Sequence, residues 1–152
     1  VLERSLTASH DLMVRFNGQA GSVFLKNQFN SAMGVEQIVF NNGTVWDYAA
    51  IRQEYLNRAS TSGNDTIIGF LNSDETITGG QGNDLMLGLS GSDTYIYNLG
   101  DGADEIREDF DPGSVYTDQL VFGAGILPVN LILERTLETQ NDLTIRFNGQ
   151  AG

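Results

Sequence analysis

Short triplets ending in aspartate recur through one segment of the chain and constrain its fold more than any other feature. Their aspartates lie 9, 10, 9 and 11 residues apart, and an apolar residue stands two places after most of them. In the second copy Thr76 takes that place and Ile77 follows one residue later. This spacing fits a turn of about six residues followed by a short strand. The triplets are Gly63-Asn64-Asp65, Asn72-Ser73-Asp74, Gly82-Asn83-Asp84, Gly91-Ser92-Asp93 and Gly102-Ala103-Asp104.

Two such units make one coil of about 18 residues, so the turns of alternate units stack on the same side. This stacking predicts one column of Asp65, Asp84 and Asp104, and a second column with Asp74 over Asp93. Adjacent strands lie about 4.8 Å apart. Carboxylates at that spacing repel by roughly 3 kcal/mol per neighbouring pair at an effective dielectric near 20. The columns therefore need a cation between their turns.

The acidity of the chain is concentrated in the same segment. Residues 60–111 hold 11 of the 20 acidic residues and one of the 8 basic residues, Arg107. The formal net charge of -12 disfavours nucleic acid and anionic membranes as partners and favours cations. Calcium takes about 6–8 oxygen ligands, which aspartates and turn carbonyls can supply. Glycine lets those carbonyls turn inward at φ values that other residues avoid. Calcium is therefore the expected partner.

Other kinds of site find little support in the sequence. The chain has no cysteine and one histidine, His10, which excludes disulfides and thiolate sites and makes zinc implausible. His10 is predicted to be a surface residue. Glu108, Asp109 and Asp111 could suggest a glycosidase, but the acidic run next to Pro112-Gly113 favours a solvated or calcium-edge loop. No nucleophile–base pair and no apolar run of about 18 residues is found, so neither catalysis nor a membrane span is predicted.

A much longer repeat also runs through the chain. "LERSLTASHDLMVRFNGQAG" (residues 2–21) recurs as "LERTLETQNDLTIRFNGQAG" (residues 133–152), with 13 of 20 positions identical at an offset of 131. This predicts tandem units in a longer parent protein. The second copy lacks the residues that follow the first. We therefore expect it to contact neighbouring units of the parent, or to self-associate through the 133–152 edge.

The segments around the acidic repeats read as antiparallel β structure with one helix. Turn dipeptides Asn17-Gly18 and Asn42-Gly43 between apolar runs predict two hairpins. Asp47 is expected to cap a helix over residues 48–58, with Trp46 in the core. Further strands are predicted at 120–122 and 131–133. The expected organisation is a β module at 1–47, a short helix at 48–59, a calcium-binding segment at 60–111 and a β segment at 112–152 that begins the next copy.

The residues also carry a resemblance to a known family. "GGQGNDLML" (residues 79–87) matches the nonapeptide G-G-x-G-x-D-x-U-x of RTX (repeats-in-toxin) calcium-binding proteins, where U is a large apolar residue. Residues 35–47 and "NDLTIRFNGQAG" (residues 141–152) resemble the haemolysin-type calcium-binding-related domain. The other four short repeats match the nonapeptide in part, and "LVFGAGI" (residues 120–126) also resembles the companion domain. Together these likenesses cover nearly the whole chain. They imply an all-β fold, a parallel β-roll of calcium-binding nonapeptides flanked by antiparallel β-hairpins, with one short helix.

The resemblance also implies where ions would bind. Each calcium would lie between a turn and the turn two repeats on: between 60–65 and 79–84, between 69–74 and 88–93, and between 79–84 and 99–104. Two to four ions are expected in all. The sequence departs from the family pattern at Ser60, Thr61, Phe70, Leu71 and Leu89. The ligands carried over are Ser60, Ser62, Asp65, Gly69, Leu71, Asp74, Gly79, Gly80, Gln81, Gly82, Asp84, Leu89, Gly91, Asp93, Gly100, Gly102 and Asp104.

The function implied by the resemblance is that of a non-catalytic calcium-binding module of a large secreted bacterial protein. Such proteins are typically exported by type I secretion, and the module would fold when it meets calcium outside the cell. Two alternatives stay open. The tandem units could form an adhesin or carbohydrate-binding array with structural calcium, or the segment could be the C-terminal RTX part of a secreted hydrolase.

Overall fold

A computed structural model describes residues 2–4, 10–30, 32–108, 115–135 and 141–148. Over these residues the chain is mostly β-strand with one α-helix, which confirms the predicted all-β class. The elements are β1 Leu2–Arg4, β2 Leu12–Arg15, β3 Ser22–Leu25, β4 Gln37–Val39, β5 Val45–Asp47, α1 Tyr48–Ala59, β6 Thr66–Ile68, β7 Thr76–Thr78, β8 Leu85–Leu87, β9 Thr94–Tyr97, β10 Glu105–Arg107, β11 Gln119–Phe122, a 3₁₀ turn Pro128–Asn130, β12 Leu131–Glu134 and β13 Thr144–Phe147.

Strands β6 to β11 alternate between two parallel sheets. The first parallel sheet has the order β10-β8-β6, and the second parallel sheet has the order β11-β9-β7. Met86 pairs with both Ile67 and Ile106 in the first, and Tyr95 pairs with both Ile77 and Leu120 in the second. Each strand is thus bonded to the strand two units away.

The apolar residue of the short repeat faces the interior. Ile67, Ile77, Met86 and Tyr95 are all buried and belong to one core cluster. Successive side chains on a strand point to opposite faces, so a three-residue strand has room for one inward residue. In β6 to β9, the apolar residue of the repeat is that inward residue.

Helix α1 lies against the first strands of both parallel sheets, β6 and β7. The carboxylate of Asp47 accepts the N–H of Ala50 at 2.8 Å, which confirms the predicted N-cap. Ile51 and Leu56 are buried on the inner side of the helix. The Gln53 side-chain amide donates to the carbonyl of Thr76 at 2.9 Å. The helix therefore protects the edge of β7, which would otherwise be open to pairing.

The two predicted hairpins at the N-terminal side are confirmed. Strand β2 pairs with β3, and β4 pairs with β5, both antiparallel. Gly43 adopts φ +86 in the turn between β4 and β5, a conformation that glycine reaches without strain. Strand β1 joins β2 as a third strand, an addition that the hairpin pattern did not predict. Trp46 packs against the core, as expected.

The C-terminal segment contributes to both kinds of sheet. Strand β11 is the predicted strand at 120–122, and it extends the second parallel sheet by pairing with β9. Strands β12 and β13 form an antiparallel hairpin, which contains the predicted strand at 131–133. Phe147 of that hairpin stacks on Tyr97 of β9, with 5.5 Å between the ring centroids. The second copy of the 20-residue sequence thus packs on the second parallel sheet.

Candidate metal centre

The turns that precede β6 to β11 fall into two columns because alternate strands stack. The first turn column contains residues 60–65, 79–84 and 98–104, which lead into β6, β8 and β10. The second turn column contains residues 69–75, 88–93 and, in the last turn, 108 and 115–118, which lead into β7, β9 and β11. In every one of these turns, the residue directly before the strand is an aspartate or a glutamate.

Carboxylates of the first turn column are tied to the preceding turn by backbone hydrogen bonds. Oδ1 of Asp84 accepts the N–H of Asp65 at 2.8 Å, and Oδ1 of Asp104 accepts the N–H of Asp84 at 3.0 Å. Oδ2 of Asp84 and Oδ2 of Asp104 are buried and have no hydrogen-bond partner among the described residues. Asp65, in the outermost turn, instead accepts from Thr61 N at 2.7 Å. Two buried carboxylate oxygens are therefore left for another ligand.

The second turn column repeats this arrangement. Oδ1 of Asp93 accepts the N–H of Glu75 at 2.8 Å, and Oδ1 of Asp118 accepts the N–H of Asp93 at 3.0 Å. Asp93 has 0% exposure, and its Oδ2 has no partner in the described part of the chain. Asp118 and Glu75 were both missed from the sequence. Asp118 could have been found, because the apolar Leu120 stands two places after it, as in the other repeats.

The predicted stacking of Asp74 over Asp93 is wrong. Strand β7 begins at Thr76, which pairs with Thr94, so the residue in line with Asp93 is Glu75. Asp74 is exposed, and its Oδ1 accepts the N–H of Ser92 at 2.8 Å. Asn64 makes the equivalent bond to Asn83 N at 2.9 Å in the other column. The second repeat is therefore displaced by one residue, consistent with its spacing of 10.

Three carboxylates converge at the far end of the second turn column. Oxygen atoms of Asp93, Glu108 and Asp118 all lie within 4.8 Å of one another. The hydroxyl of Tyr95 donates to Glu108, and Glu108 directly follows β10. The sequence predicts a solvated or calcium-edge loop for Glu108, Asp109 and Asp111. Asp109 and Asp111 lie outside the described residues, and the carboxylate of Glu108 belongs to this cluster. Asp93 is buried and the other two acids are exposed, an arrangement that a divalent cation can occupy.

Burial disfavours the ionised form of the inner carboxylates of both columns when no cation is bound. Burial raises the pKa of Glu75 to about 7. Burial also raises the pKa of Asp93, and the charges of Asp118 and Asp74 add to this effect. Asp104 likewise has a raised pKa because of burial and the nearby charge of Asp84. A bound cation would offset the desolvation and the repulsion together.

Glycines bring the stacked turns close enough to share ligands. A Cβ at Gly79 would overlap the Asp84 carboxylate, and a Cβ at Gly88 would overlap that of Asp93. Gly82 has φ +133, and a Cβ there would lie 2.5 Å from the carbonyl oxygen of Gly63 one coil earlier. The missing side chains therefore let carboxylates fold back on their own turns and let carbonyls of adjacent coils approach each other.

The ligands implied by the family resemblance divide between the two turn columns. In the first column, the Ser60 hydroxyl donates to Gly79 O at 2.8 Å. In the second column, the side chain of Leu71 is exposed, so only its carbonyl could act as a ligand. The first column contains Ser60, Ser62, Asp65, Gly79, Gly80, Gln81, Gly82, Asp84, Gly100, Gly102 and Asp104, and the second contains Gly69, Leu71, Asp74, Leu89, Gly91 and Asp93.

The donor set fits calcium. Both columns offer carboxylate, carbonyl and hydroxyl oxygens, and the chain has no cysteine. Hard cations with large, flexible coordination shells prefer such ligands. The buried and unpartnered Oδ2 atoms of Asp84, Asp93 and Asp104 are the positions at which a cation would replace lost water.

Comparison with known proteins agrees with the resemblance noted in the sequence. Residues 11–50 match the family model of the haemolysin-type calcium binding protein related domain. The matched stretch contains β2 to β5 and the beginning of α1, and lies outside both turn columns. No curated protein and no solved structure matches the chain. Among the described residues, no helix is long and apolar enough to cross a membrane.

Replacement of Gly82 by alanine should destabilise the protein by about 1–3 kcal/mol, because a non-glycine residue at φ +133 is strained and its Cβ would collide with the coil below. Gly63→Ala is the matched control, since that glycine holds the same place one coil earlier and a Cβ there would meet nothing closer than 3.8 Å. Urea unfolding at saturating calcium measures both. Equal losses for the two variants would contradict this account of the turns.

Without calcium, the fold should become more stable as the pH is lowered. The pKa of Glu75 is about 7 in the folded protein against an ordinary 4.5, so the folded state holds a proton that the unfolded chain has released. The stabilisation from protonated Glu75 is complete below the pKa of Glu75 in the unfolded chain, and it is lost as the pH rises through about 7. Urea unfolding in calcium-free buffer, from about pH 5 up to the pH at which the roll no longer folds without calcium, gives the slope, which Glu75→Gln should reduce. Stability that rises with pH across this window would refute the assignment.

Proposed function

We propose that residues 60–108 and 115–122 form a short parallel β-roll that binds calcium along its two turn columns and depends on calcium for its stability. The observation that carries this proposal is the set of buried, unpartnered carboxylate oxygens on Asp84, Asp93 and Asp104. They lie in a segment whose one basic residue is Arg107, and Arg107 is paired with Glu105 at the surface.

An uncompensated buried carboxylate costs several kcal/mol. Protonation offsets this cost only at low pH, as the raised pKa values of Asp93 and Asp104 imply. A divalent cation offsets it at neutral pH and also cancels the repulsion between successive turns. Since the columns do not exist in the unfolded chain, the free energy of calcium binding becomes free energy of folding.

The proposed sites follow the two columns. In the first, ions would lie between turns 60–65 and 79–84 and between turns 79–84 and 98–104, so that Asp84 is shared. In the second, one site would use Asp93, Glu108 and Asp118, which lie close together. Carbonyls of the glycine turns would complete each shell.

A further position in the second column, between turns 69–75 and 88–93, would bind calcium less tightly. The Arg52 guanidinium lies 4.7 Å from the centre of the Phe70 ring, and its charge opposes the rise in the pKa of Glu75. This fixed positive charge from α1 partly replaces a metal ion there. The roll would therefore bind calcium most strongly away from the helix.

For the parent protein we propose a non-catalytic calcium-binding module of a secreted bacterial protein. The match of residues 11–50 to a haemolysin-type calcium binding protein related domain supports this assignment. Export by type I secretion would then deliver an unfolded chain into millimolar calcium, where it folds. The proposed organisation is the β module at 1–47, α1, the roll, and a β segment that begins the next copy. We extend the roll from residue 111 to 122 because β11 pairs with β9.

Removal of calcium should unfold the roll at neutral pH. Circular dichroism and thermal melting, with excess calcium and then with EGTA, should show a large loss of β signal and of melting temperature, because the columns repel without a cation. Magnesium at the same concentration is the control for ionic strength, since it demands a smaller octahedral shell. Identical spectra and melting temperatures with and without calcium would refute the proposal.

Asp84→Asn should lower calcium affinity by about tenfold or more, equivalent to about 1.4 kcal/mol, and reduce the number of bound ions. Asparagine keeps the oxygen that accepts Asp65 N–H and removes the charge. Asp74→Asn is the matched control, because Asp74 is exposed and asparagine keeps its bond to Ser92 N–H. Isothermal titration calorimetry compares them. An equal loss in both variants would show that column position does not determine binding.

A further inference from the structure

The two copies of the 20-residue repeat fold into hairpins of the same register. Leu2 pairs with Val14 in the first copy, and Leu133 pairs with Ile145 in the second. Both members of the second pair lie 131 positions after those of the first, which is the offset of the repeat. The two hairpins therefore present equivalent faces, and differences in burial arise from what surrounds them.

One face of each hairpin carries two leucines at one end and a phenylalanine at the other, and we call these the leucine end and the phenylalanine end. In the first copy, the leucine end is covered. Leu2 has 6% exposure and Leu12 has 0%, and both belong to the core cluster that includes Ile51 and Leu56 of α1. The loop after β3 completes the cover: Asn27 N–H donates to the Asp11 carboxylate at 2.8 Å. The other end of the face, at Phe16, has 51% exposure.

In the second copy, the pattern is reversed. Leu133 has 63% exposure and Leu143 has 60%. Phe147, the counterpart of Phe16, stacks on Tyr97 with 5.5 Å between centroids and contacts Phe122 with 6.4 Å between centroids. Those two rings belong to β9 and β11 of the second parallel sheet. The second copy thus uses the end of its face that is free in the first copy.

Both contacts can be made by one hairpin at once. Residues 143, 145 and 147 share one side of an extended strand, because side chains alternate. Leu143 and Phe147 are four residues apart, which corresponds to about 13 Å along a strand. An aromatic contact at one end therefore leaves room for a helix at the other.

We propose that this hairpin is the joint between successive units of the 131-residue repeat. Its phenylalanine end packs on the second parallel sheet of the preceding unit, and its leucine end covers α1 of the following unit. The occupant of the exposed Leu133 and Leu143 is thus a segment equivalent to residues 22–59, which supplies a third strand, a loop equivalent to that of Asn27, and a helix. The joint rests on the calcium proposal in one respect: its phenylalanine end packs on β9 and β11 and needs those strands to be folded.

The test adds that segment to the intact chain. A polypeptide of residues 1–152 followed directly by a copy of residues 22–59 gives the second hairpin the sequence that follows the first. Hydrogen exchange, followed by mass spectrometry at saturating calcium, should show amides of β13 at least about tenfold slower in the extended chain. Calcium content is measured in parallel, so a failure of the calcium proposal would be seen separately.

Paired variants distinguish the joint from general stabilisation. Leu143→Asp should abolish the added protection in the extended chain and leave the melting temperature of the 152-residue chain unchanged. Leu12→Asp should lower that temperature strongly, because the equivalent leucine is buried there. Val129→Asp, at a residue with 78% exposure outside the repeat, should have no effect in either chain.

Two results would overturn the proposal. One is exchange of β13 that is equally fast in the extended and the original chain. The other is a concentration-dependent dimer of the 152-residue chain, detected by sedimentation, in which β13 is already protected, because the leucine end would then serve self-association.

Discussion

The hydrogen bond between a turn carboxylate and the backbone N–H of the turn one coil earlier holds the parallel part of this protein together. It recurs from Asp84 to Asp65, from Asp104 to Asp84, from Asp93 to Glu75 and from Asp118 to Asp93. Each bond fixes the spacing of two turns with one oxygen, and in Asp84, Asp93 and Asp104 the other oxygen is buried without a partner among the described residues. Burial of that second oxygen costs free energy unless a cation meets it, so the geometry that aligns the turns also favours the binding of a cation.

The remaining elements pack around this stack. At its beginning, α1 contacts β6 and β7, bonds the edge of β7 through Gln53 and brings the charge of Arg52 near Glu75. The first copy of the repeated hairpin packs with α1 in the core cluster, and Phe147 of the second copy packs on β9 and β11. The long repeat is therefore linked to the short one through α1 on one side and through the second parallel sheet on the other.

Much of the site could be predicted from spacing alone. The column of Asp65, Asp84 and Asp104, the inward residues Ile67, Met86 and Tyr95, and the capped helix all follow from local pattern, because turns and three-residue strands are short-range structures. Asp74 was placed incorrectly because an aspartate and a glutamate stand next to each other, and only pairing of Thr76 with Thr94 decides which of them enters the column. Asp118 was missed because 25 residues separate it from Asp93, which hides the period.

The period of the coil, the side of each strand that faces inward and the local excess of acid can all be derived from the sequence. These depend on residue type and spacing, which are properties of the chain alone. The tertiary structure decided which carboxylates share a column, that Glu108 joins Asp93 and Asp118, and which oxygen of each is left without a partner. It also decided that Leu12 is buried whereas Leu143 is exposed, although both lie in the same repeated sequence. Burial and pairing depend on neighbours brought from far along the chain, and similar segments with different neighbours reach different states.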